Sequence, residues 1–299
     1  MGEILLNILG PVAIIVGLGF TVGRTLDVDP ATPSKLSYWV FGPAFVFDAL
    51  FRAELEADVV IRVVAAAIGA LAISGLAGWA SSRLTGRSRE EDAAVLTTSV
   101  YGNVGNYGLA VVVFTFGAEA LPVAALLMVV INISGLLVGV ASATGVNHSL
   151  GSAVRRALSA PMFLAVIPAV LLNVADVELP PVLDRPVALT AQAMIPLMLV
   201  TLGIQLAGMG IPRLDGVAAR ALTAKLVVQP VAAAWLVTLF ALDDISAGAV
   251  VIQAAMPPAV FAALIALEHD LIPDRVTTIV LGGTLLSAVS VPLAILAVT

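Results

Sequence analysis

Long apolar runs follow one another along the whole chain and set its architecture. A transmembrane helix needs about 20 apolar residues at a rise of 1.5 Å per residue. Ten runs of about that length can be drawn, over residues 4–23, 35–54, 59–80, 93–116, 121–145, 161–177, 187–209, 216–241, 246–268 and 276–298. The pattern predicts an all-α integral membrane protein with ten transmembrane helices. The short connections leave no room for a soluble domain.

The composition favours the same class. Of the 299 residues, 60% are hydrophobic and 11% are charged, and the mean hydropathy is +1.09. Soluble domains carry about 25% charged residues, so the lipid bilayer is the expected surrounding. With no cysteine and a net charge of -6, neither thiolate chemistry nor a nucleic-acid partner is expected. No cofactor is expected either.

The basic residues are distributed unevenly between the loops, which predicts the orientation of the chain. Cytoplasmic loops of membrane proteins are enriched in Lys and Arg. Ten of the 14 Lys and Arg residues lie in the loops after odd-numbered runs, whereas only Arg52, Arg62 and Arg185 lie on the opposite side. We therefore expect a multi-pass protein of the plasma membrane with both termini extracytoplasmic.

Two landmarks recur at nearly the same spacing, which indicates an internal duplication. Pro43 in the second run and Pro196 in the seventh are 153 positions apart, and Gly105 in the fourth and Pro257 in the ninth are 152 apart. A unit of five spans, repeated once, lies upside down in its second copy. This interpretation divides the chain into a five-helix repeat over 1–145, a cytoplasmic connecting loop over 146–160 and an inverted repeat over 161–299.

The fourth and ninth runs contain residues that interrupt helices. Gly102, Gly105 and Gly108 fall in the fourth, and each glycine costs a helix about 0.8 to 1 kcal/mol relative to alanine. In the ninth, Pro257 and Pro258 remove two successive amide donors. Interrupted helices in corresponding positions of two halves point to a binding site, so we expect broken helices 4 and 9 to cross there. Taken alone, the glycines also fit close packing of a neighbouring helix, and the prolines fit a simple kink.

The residues around these interruptions predict a neutral site for an organic anion. Each half-helix N-terminus is equivalent to about +0.5 charge, and an asparagine amide can donate two hydrogen bonds to a carboxylate. The predicted substrate-binding residues are Asn103, Gly105, Asn106, Tyr107, Gly108, Gln253, Met256, Pro257 and Pro258, with possible support or coupling from Lys225, Asn132 and Gln205.

Few charged residues lie inside the apolar runs, and Asp48, Arg52 and Lys225 are among them. Asp48 and Arg52, four positions apart near the outer end of the second run, are expected to form an ion pair. Lys225 lies two to three turns into the eighth run, with Gln229 on the same face. Lys225 either extends to the cytoplasmic surface or faces the cavity and assists an anionic substrate. The sequence leaves both alternatives open.

The sequence around the interruptions resembles the auxin efflux carrier family, which includes plant PIN carriers and bacterial and archaeal organic-acid carriers. The stretch NVGNYGLA from Asn103 is similar to the family's Asn-x-Gly-x-x-Gly-x-Pro core, with Ala110 in place of the usual proline. QAAMPPA from Gln253 resembles the crossing in the family's ninth span, and the segment from His269 to Pro292 resembles its end.

The resemblance covers all ten runs and has several implications. It implies an inverted repeat with a scaffold part and a moving transport part, organic-anion substrates and often a homodimer. Carried over, Asn103 and Pro257 are the binding positions of the crossing. The expected function is a secondary transporter that exports an organic anion, such as a carboxylate or an auxin-like weak acid, by elevator-type alternating access.

Other functions require other residues. A sodium/proton antiporter needs an acidic residue at mid-membrane depth, and none of the 20 acidic residues is expected there. A sodium- or proton-coupled symporter of the bile-acid-transporter type stays open, because Asn, Gln and carbonyl oxygens can bind sodium. An enzyme is not expected, since both histidines, His148 and His269, fall in loops. A passive channel does not need two interrupted helices.

The orientation can be tested with single introduced cysteines, because the chain has none. A cysteine at Ser88 or Ser152 should be shielded from a membrane-impermeant maleimide in intact cells, since both positions are predicted to be cytoplasmic. A cysteine at Ala118 or Asp244 should react. The reverse labelling pattern would contradict the orientation.

Overall fold

The computed structural model describes residues 2–84, 88–143, 151, 154–155, 158–210, 212–268 and 272–299. The main helices of these ranges are α1 (Ile4–Thr25), α2 (Ala31–Leu36, Ser37–Phe41 and Gly42–Phe51 in direct succession), α3 (Ala57–Arg83), α4 (Arg89–Val100), α5 (Val104–Phe116), α6 (Leu121–Ala143), α7 (Pro161–Val174), α8 (Pro181–Ala207), α9 (Gly216–Leu239), α10 (Asp244–Ala254), α11 (Val260–Glu268) and α12 (Pro273–Leu296). These ranges contain no β-strand. Outside the described residues lie Arg87, His148, Ser152, Arg156, His269 and most of the connecting loop 146–160.

The helices have the length and polarity of a membrane protein. Among the described helices, α1, α3, α6, α8, α9 and α12 are long and apolar enough to cross a bilayer, and α5, α7 and α10 are apolar but shorter. Their outer surfaces are apolar, and Trp39, Trp79 and Trp235 are 65%, 43% and 59% exposed. Continuous apolar surface of this kind is stable only against lipid. The prediction of an all-helical integral membrane protein is confirmed.

The helix ends follow from local sequence signals. Ser88 and Glu91 form a capping box at α4, in which Ser88 Oγ accepts from the Glu91 N–H and the Glu91 carboxylate accepts from the Ser88 N–H, both at 3.3 Å. The carboxylates of Asp215 and Asp243 cap α9 and α10 by accepting from N–H groups of the first turn. Gly117, at a φ of 80°, lets the chain turn between α5 and α6.

The helices pack in two groups. In the first group α1 packs along α8, and α2 packs along α7 and the beginning of α8. In the second group α3 packs against α4, α6 and α9, while α10, α11 and α12 complete the layer around them. The groups meet where α2 contacts α6 and where the first turn of α5 contacts α8. One apolar cluster of buried residues runs through both, and the two interrupted helices lie in the second group at this boundary.

Ion pairs join helices at their ends. Arg52 Nε donates to Asp48 Oδ1 at 2.8 Å, which confirms the pair expected from the sequence, and Arg52 also binds Asp184 of α8. Such pairs are partly exposed and are each worth only about 0 to 1 kcal/mol. Their main effect is to tie the end of α2 to α8.

A second set of ion pairs lies in the second group of helices, where α3 ends and α4, α9 and α12 begin. Arg83 Nε lies 2.9 Å from Asp92 Oδ2, which joins α3 to α4. Arg275 at the start of α12 binds Glu91 of α4 and lies 3.5 Å from Asp215 at the start of α9. Four helix ends, those of α3, α4, α9 and α12, are therefore held together on one side of the protein.

Two glycines allow α1 and α8 to touch through their backbones. A Cβ atom at Gly19 would overlap the carbonyl oxygen of Val200, and a Cβ at Gly203 would overlap that of Val16. Small residues at such contacts are typical of helix pairs in membranes, where close van der Waals packing replaces the hydrophobic effect.

This contact predicts a difference between two glycine substitutions. Gly203→Ala should lower the free energy of unfolding by about 1 to 3 kcal/mol, because the methyl group forces two backbones apart. Gly17→Ala on α1 is the control, since no atom lies within 4 Å of its added Cβ. Unfolding of both variants in detergent, followed by circular dichroism, measures the effect. Equal midpoints would contradict the close approach.

Candidate functional site

The interrupted helices cross and pair with each other through their backbones. The first interruption separates α4, which ends at Val100, from α5, which begins at Val104, and the second separates α10 from α11. Gly102 and Pro258 form an isolated antiparallel bridge there. The Asn103 N–H donates to Pro257 O at 2.7 Å, and the Ala259 N–H donates to Tyr101 O at 2.8 Å.

The bridge accommodates the two prolines without an unpaired donor. Proline has no N–H, so Pro257 and Pro258 contribute only acceptors. The donors come from the neighbouring Ala259 and from Asn103 on the other chain segment. Because lipid offers no hydrogen bonds, freed backbone groups at membrane depth must find partners inside the protein. Each interruption supplies the partners that the other lacks.

The sequence allows two roles for the glycines of the fourth run, interruption of the helix and close packing of a neighbouring helix, and the structure contains both. Only Gly102 lies in the interruption, whereas Gly105 and Gly108 lie in the helical turns that follow. Gly108 serves close packing, because a Cβ there would overlap Gln253 Oε1. The break therefore lies at the amino-terminal edge of the glycine series and not at its centre, since the bridge to Pro258 fixes its position.

A cavity of about 230 Å³ opens beside the crossing, between the two helix groups. Most of its walls are apolar, with Met128, Ile133 and Leu136 from α6 and Phe261 and Leu264 from α11. The first turns of α5 and α11 contribute to the lining at Val104 and Val260 among others. The initial N–H groups of a helix have no intrahelical acceptor. The positive ends of both half-helices therefore lie at this cavity.

Asn103 has the free donor of the site. It lines the cavity and is only 5% exposed, yet its side-chain Nδ2 has no hydrogen-bond partner among the described residues. Its backbone oxygen accepts from the N–H groups of Tyr107 and Gly108, which fixes the residue at the start of α5. A buried amide without a partner costs about 1 to 3 kcal/mol, and a ligand acceptor that reached it would recover that energy.

The other predicted amides on the cavity are already engaged. Asn106 Nδ2 donates to Gln205 Oε1 at 3.3 Å, and Gln205 Nε2 donates to Ser34 Oγ at 3.2 Å. Asn132 Nδ2 donates to Met128 O at 2.7 Å within its own helix. Asn106, Gln205 and Asn132 line the cavity, as does Gly105. Their hydrogen bonds orient them but leave fewer donors for a ligand.

The remaining predicted residues lie at the crossing but not on the cavity wall. Tyr107 is buried, and Gly108 packs against Gln253 of α10. Gln253 and Met256 are fully buried, with Gln253 Nε2 at 3.5 Å from Val104 O. The lining residues of the cavity are Ser34, Tyr38, Tyr101, Gly102, Asn103, Val104, Gly105, Asn106, Met128, Val129, Asn132, Ile133, Leu136, Val140, Ala160, Met162, Phe163, Met198, Gln205, Ala259, Val260, Phe261, Leu264, Ile265 and Glu268. Pro257 and Pro258 act through the bridge.

Lys225 does not extend to the cytoplasmic surface, so that alternative is wrong. Its side chain is fully buried, and Nζ donates to Gln229 Oε1 at 2.5 Å and to Ala254 O at 3.2 Å. Lys225 is also absent from the cavity lining and lies behind the backbone of Gly102. A lysine at the centre of a membrane helix costs about 2.5 to 3.5 kcal/mol on the insertion scale.

Sequence reasoning missed Tyr101 and Ser34. The Tyr101 hydroxyl donates to Asn132 Oδ1 at 3.0 Å on the cavity wall. Its ring packs on Gly135, where a Cβ would overlap the ring atoms. Tyr101 lies directly before Gly102, and Gly135 on the fifth run leaves room for its ring. These two features of the sequence indicate its role. Nothing in the sequence links Ser34 to Gln205.

Apolar helices that surround a cavity at two crossing, interrupted helices define a membrane transporter. A family model described as "membrane transport protein" matches residues 5–295. The chain therefore belongs to this family, that of the auxin efflux carriers, which confirms the resemblance seen in the sequence. A protein of Methanothermobacter thermautotrophicus (strain Delta H), described as an "uncharacterized transporter", is 26% identical over 293 residues, which cover 94% of each chain.

Proposed function

We propose that the chain is a secondary carrier that exports an organic anion with one carboxylate and an apolar body. The unpaired Asn103 amide carries the proposal, because it is a buried donor on a cavity that two half-helix N-termini also face. Neutral donors and helix ends favour an anion without a buried cation in the cavity. Gly105, Asn106, Asn132 and Gln205 complete the polar side of the site.

The cavity walls support an apolar substrate with a single charge. Met128, Phe163 and Phe261 offer apolar surface to the body of the molecule, and burial of that surface contributes about 25 cal/mol per Å². Among the described lining residues only Glu268 carries a charge, and it is negative. A second carboxylate on the substrate would therefore be buried without a partner.

The packing of the helices supports two inverted five-helix repeats over 1–145 and 161–299, joined by the loop 146–160. The ten spans are α1, α2, α3, α4 with α5, α6, α7, α8, α9, α10 with α11, and α12. When each span of the first half is exchanged with the span five places later, the contacts of one half map onto those of the other. The pair α1–α8 corresponds to α7–α2, the pair α3–α4 to α9–α10, and the pair α3–α6 to α9–α12. The two interruptions then face each other as equivalent elements of the two halves, joined by the bridge between Gly102 and Pro258.

An elevator-type movement fits this division. The group of α1, α2, α7 and α8 serves as the scaffold, and the second group carries the crossing. The cavity is shared, with Ser34, Met162 and Met198 from the scaffold and Asn103 and Asn132 from the moving part. Sliding of the second group would carry the bound anion past the scaffold wall. We expect a homodimer, as the sequence resemblance implies.

The lining of the cavity indicates the side of the membrane to which it opens. Its outer lining includes Ser34, Ala160 and Glu268, which lie near the ends of α2, α7 and α11 that precede or follow the basic loops. By the positive-inside rule these ends are cytoplasmic. The cavity is then in its inward-facing state, in which it takes up substrate from the cytoplasm. This orientation has both termini outside the cell, in the plasma membrane.

Sodium-coupled symport is a second candidate, and Gln253 favours it. Its Oε1 is fully buried and has no hydrogen-bond partner among the described residues. An amide oxygen close to the freed backbone carbonyls of a crossing can bind sodium. Sodium dependence of transport separates the two candidates.

The site predicts unequal effects of two asparagine substitutions. Asn103→Ala should weaken binding of indole-3-acetate about ten- to hundredfold, because a hydrogen bond to a charged group contributes about 1.5 to 3 kcal/mol. Asn106→Ala should do less, since its amide is engaged with Gln205. A thermal-shift titration of the purified protein with benzoate, phenylacetate, hexanoate and indole-3-acetate measures both, because a ligand at 100 times its Kd adds about 2.7 kcal/mol of stability. Unchanged binding by Asn103→Ala would disprove the site.

The proposed carrier should export its substrate on the membrane potential alone. An interior-negative potential of 100 mV is worth about 2.3 kcal/mol per charge, which expels a monoanion against a gradient of roughly fiftyfold. Proteoliposomes loaded with indole-3-acetate, clamped with potassium and valinomycin and free of sodium and pH gradients, should release it faster when the interior is negative. Efflux that ignores the potential, or that needs sodium or a pH gradient, would favour a coupled symporter or exchanger.

A further inference from the structure

Lys225 places an amine that can carry a positive charge in the protein interior, and no step of substrate binding described above uses it. The side chain is fully buried, and Nζ donates to Gln229 Oε1 and to Ala254 O. Both partners are acceptors, so Nζ is the donor in each hydrogen bond. Within the described part of the chain no acidic side chain pairs with it. The charge therefore lacks a counter-ion when the cavity is empty.

The equivalent position in the first half indicates that hydrogen bonding alone does not require a lysine. Ser74 on α3 lies 151 residues before Lys225 on α9. Its hydroxyl lies 2.8 Å from Ser99 O, in the last turn of α4, and 2.9 Å from Ala224 O. Lys225 makes the corresponding contact with Ala254 O at the end of α10. A hydroxyl suffices at one half-helix end, so the charge at the other has a different use.

Gly102 both contacts the ammonium of Lys225 and lines the cavity. A Cβ at Gly102 would lie 2.8 Å from Lys225 Nζ and 3.3 Å from Cε, so the missing side chain lets the ammonium approach the backbone directly. Gly102 and Asn103 themselves line the cavity. An anion bound by the Asn103 amide would therefore lie beside Gly102, the residue that the ammonium contacts. Attraction between charges is strong at such a separation, because little water screens it.

We propose that Lys225 is the counter-charge of the transported anion and the residue that selects anions over neutral molecules of the same shape. It is a positioning charge that acts through the Gly102 backbone and does not touch the substrate. With the anion bound, the site is electrically neutral, and without it the site has one positive charge. The inference rests on the proposed function and names the group that recognises the charge of the substrate.

The first test compares an acid with its neutral amide. Lys225→Gln keeps a hydrogen-bond donor and removes the charge, so it should weaken binding of indole-3-acetate at least tenfold and leave binding of indole-3-acetamide unchanged. Ser74→Ala is the matched control, since it removes the equivalent hydrogen bond without a change in charge, and it should keep the preference for the acid. Calorimetric titration of both ligands into each variant gives the ratio of the Kd for the amide to the Kd for the acid. A Lys225→Gln protein that still prefers the acid, or a Ser74→Ala protein that loses the preference equally, would overturn the inference.

The second test uses the wild-type protein and does not depend on a variant that folds. Exchange of labelled for unlabelled indole-3-acetate involves only the loaded carrier, which should be neutral, so its rate should not respond to a potential clamped with potassium and valinomycin. Net efflux also needs the return of the positively charged empty carrier and should respond. Exchange that changes with the potential would show that Lys225 does not neutralise the anion, while the proposed function would stand. A wild-type protein that binds none of the four acids would overturn the proposed function and this inference with it.

Discussion

Backbone polar groups cannot remain unpaired in an apolar interior, and the arrangement of the centre of this protein follows from that constraint. Two helices stop in the middle of the bundle, and each stop frees donors and acceptors that lipid cannot satisfy. The two segments solve the problem jointly, because Asn103 donates to Pro257 and Ala259 donates to Tyr101. Neither interruption would be stable without the other. The crossing is therefore one structural unit, although its parts are about 155 residues apart in the chain.

The same constraint separates the crossing into two chemically different sides. The half-helices α4 and α10 end there, and carbonyl oxygens in their last turns accept hydrogen bonds. The Ser74 hydroxyl donates to Ser99 O, and Lys225 Nζ donates to Ala254 O. The half-helices that begin there have their first turns at the cavity, where Asn103 adds an unpaired amide. The protein thus satisfies the acceptors internally and leaves donors for a ligand. Such a surface suits the anion that we propose as the substrate.

Hydropathy predicted the positions of the helices well, since every long apolar run has helix in it and the capping residues Ser88, Asp215 and Asp243 fix where helices begin. The Asp48–Arg52 pair could be predicted because it depends only on the spacing within one helix. Local patterns also indicated both interruptions. The family followed from the motifs at these interruptions, and the match over residues 5–295 confirms it.

The details of the site could not be predicted, because they depend on contacts between distant segments. Asn103 and Asn106 look alike in the sequence, and only the neighbouring Gln205 on α8 makes them different. Whether Lys225 reaches the surface depends on the depth of α9 and on the gap at Gly102, neither of which is a local property. The apolar cavity walls, such as Met128 and Phe261, have no polar signature that would distinguish them from lipid-facing residues.

The positions of the three tryptophans determine what intrinsic fluorescence can report. Trp39, Trp79 and Trp235 all lie on the outer apolar surface, and none of them lines the cavity. Their emission should respond to bilayer thickness and to brominated lipids, which quench by contact, but hardly to a ligand at the crossing. A single tryptophan in place of Phe261, in a protein whose own three are replaced by phenylalanine, would turn the same measurement into an optical sensor of cavity occupancy.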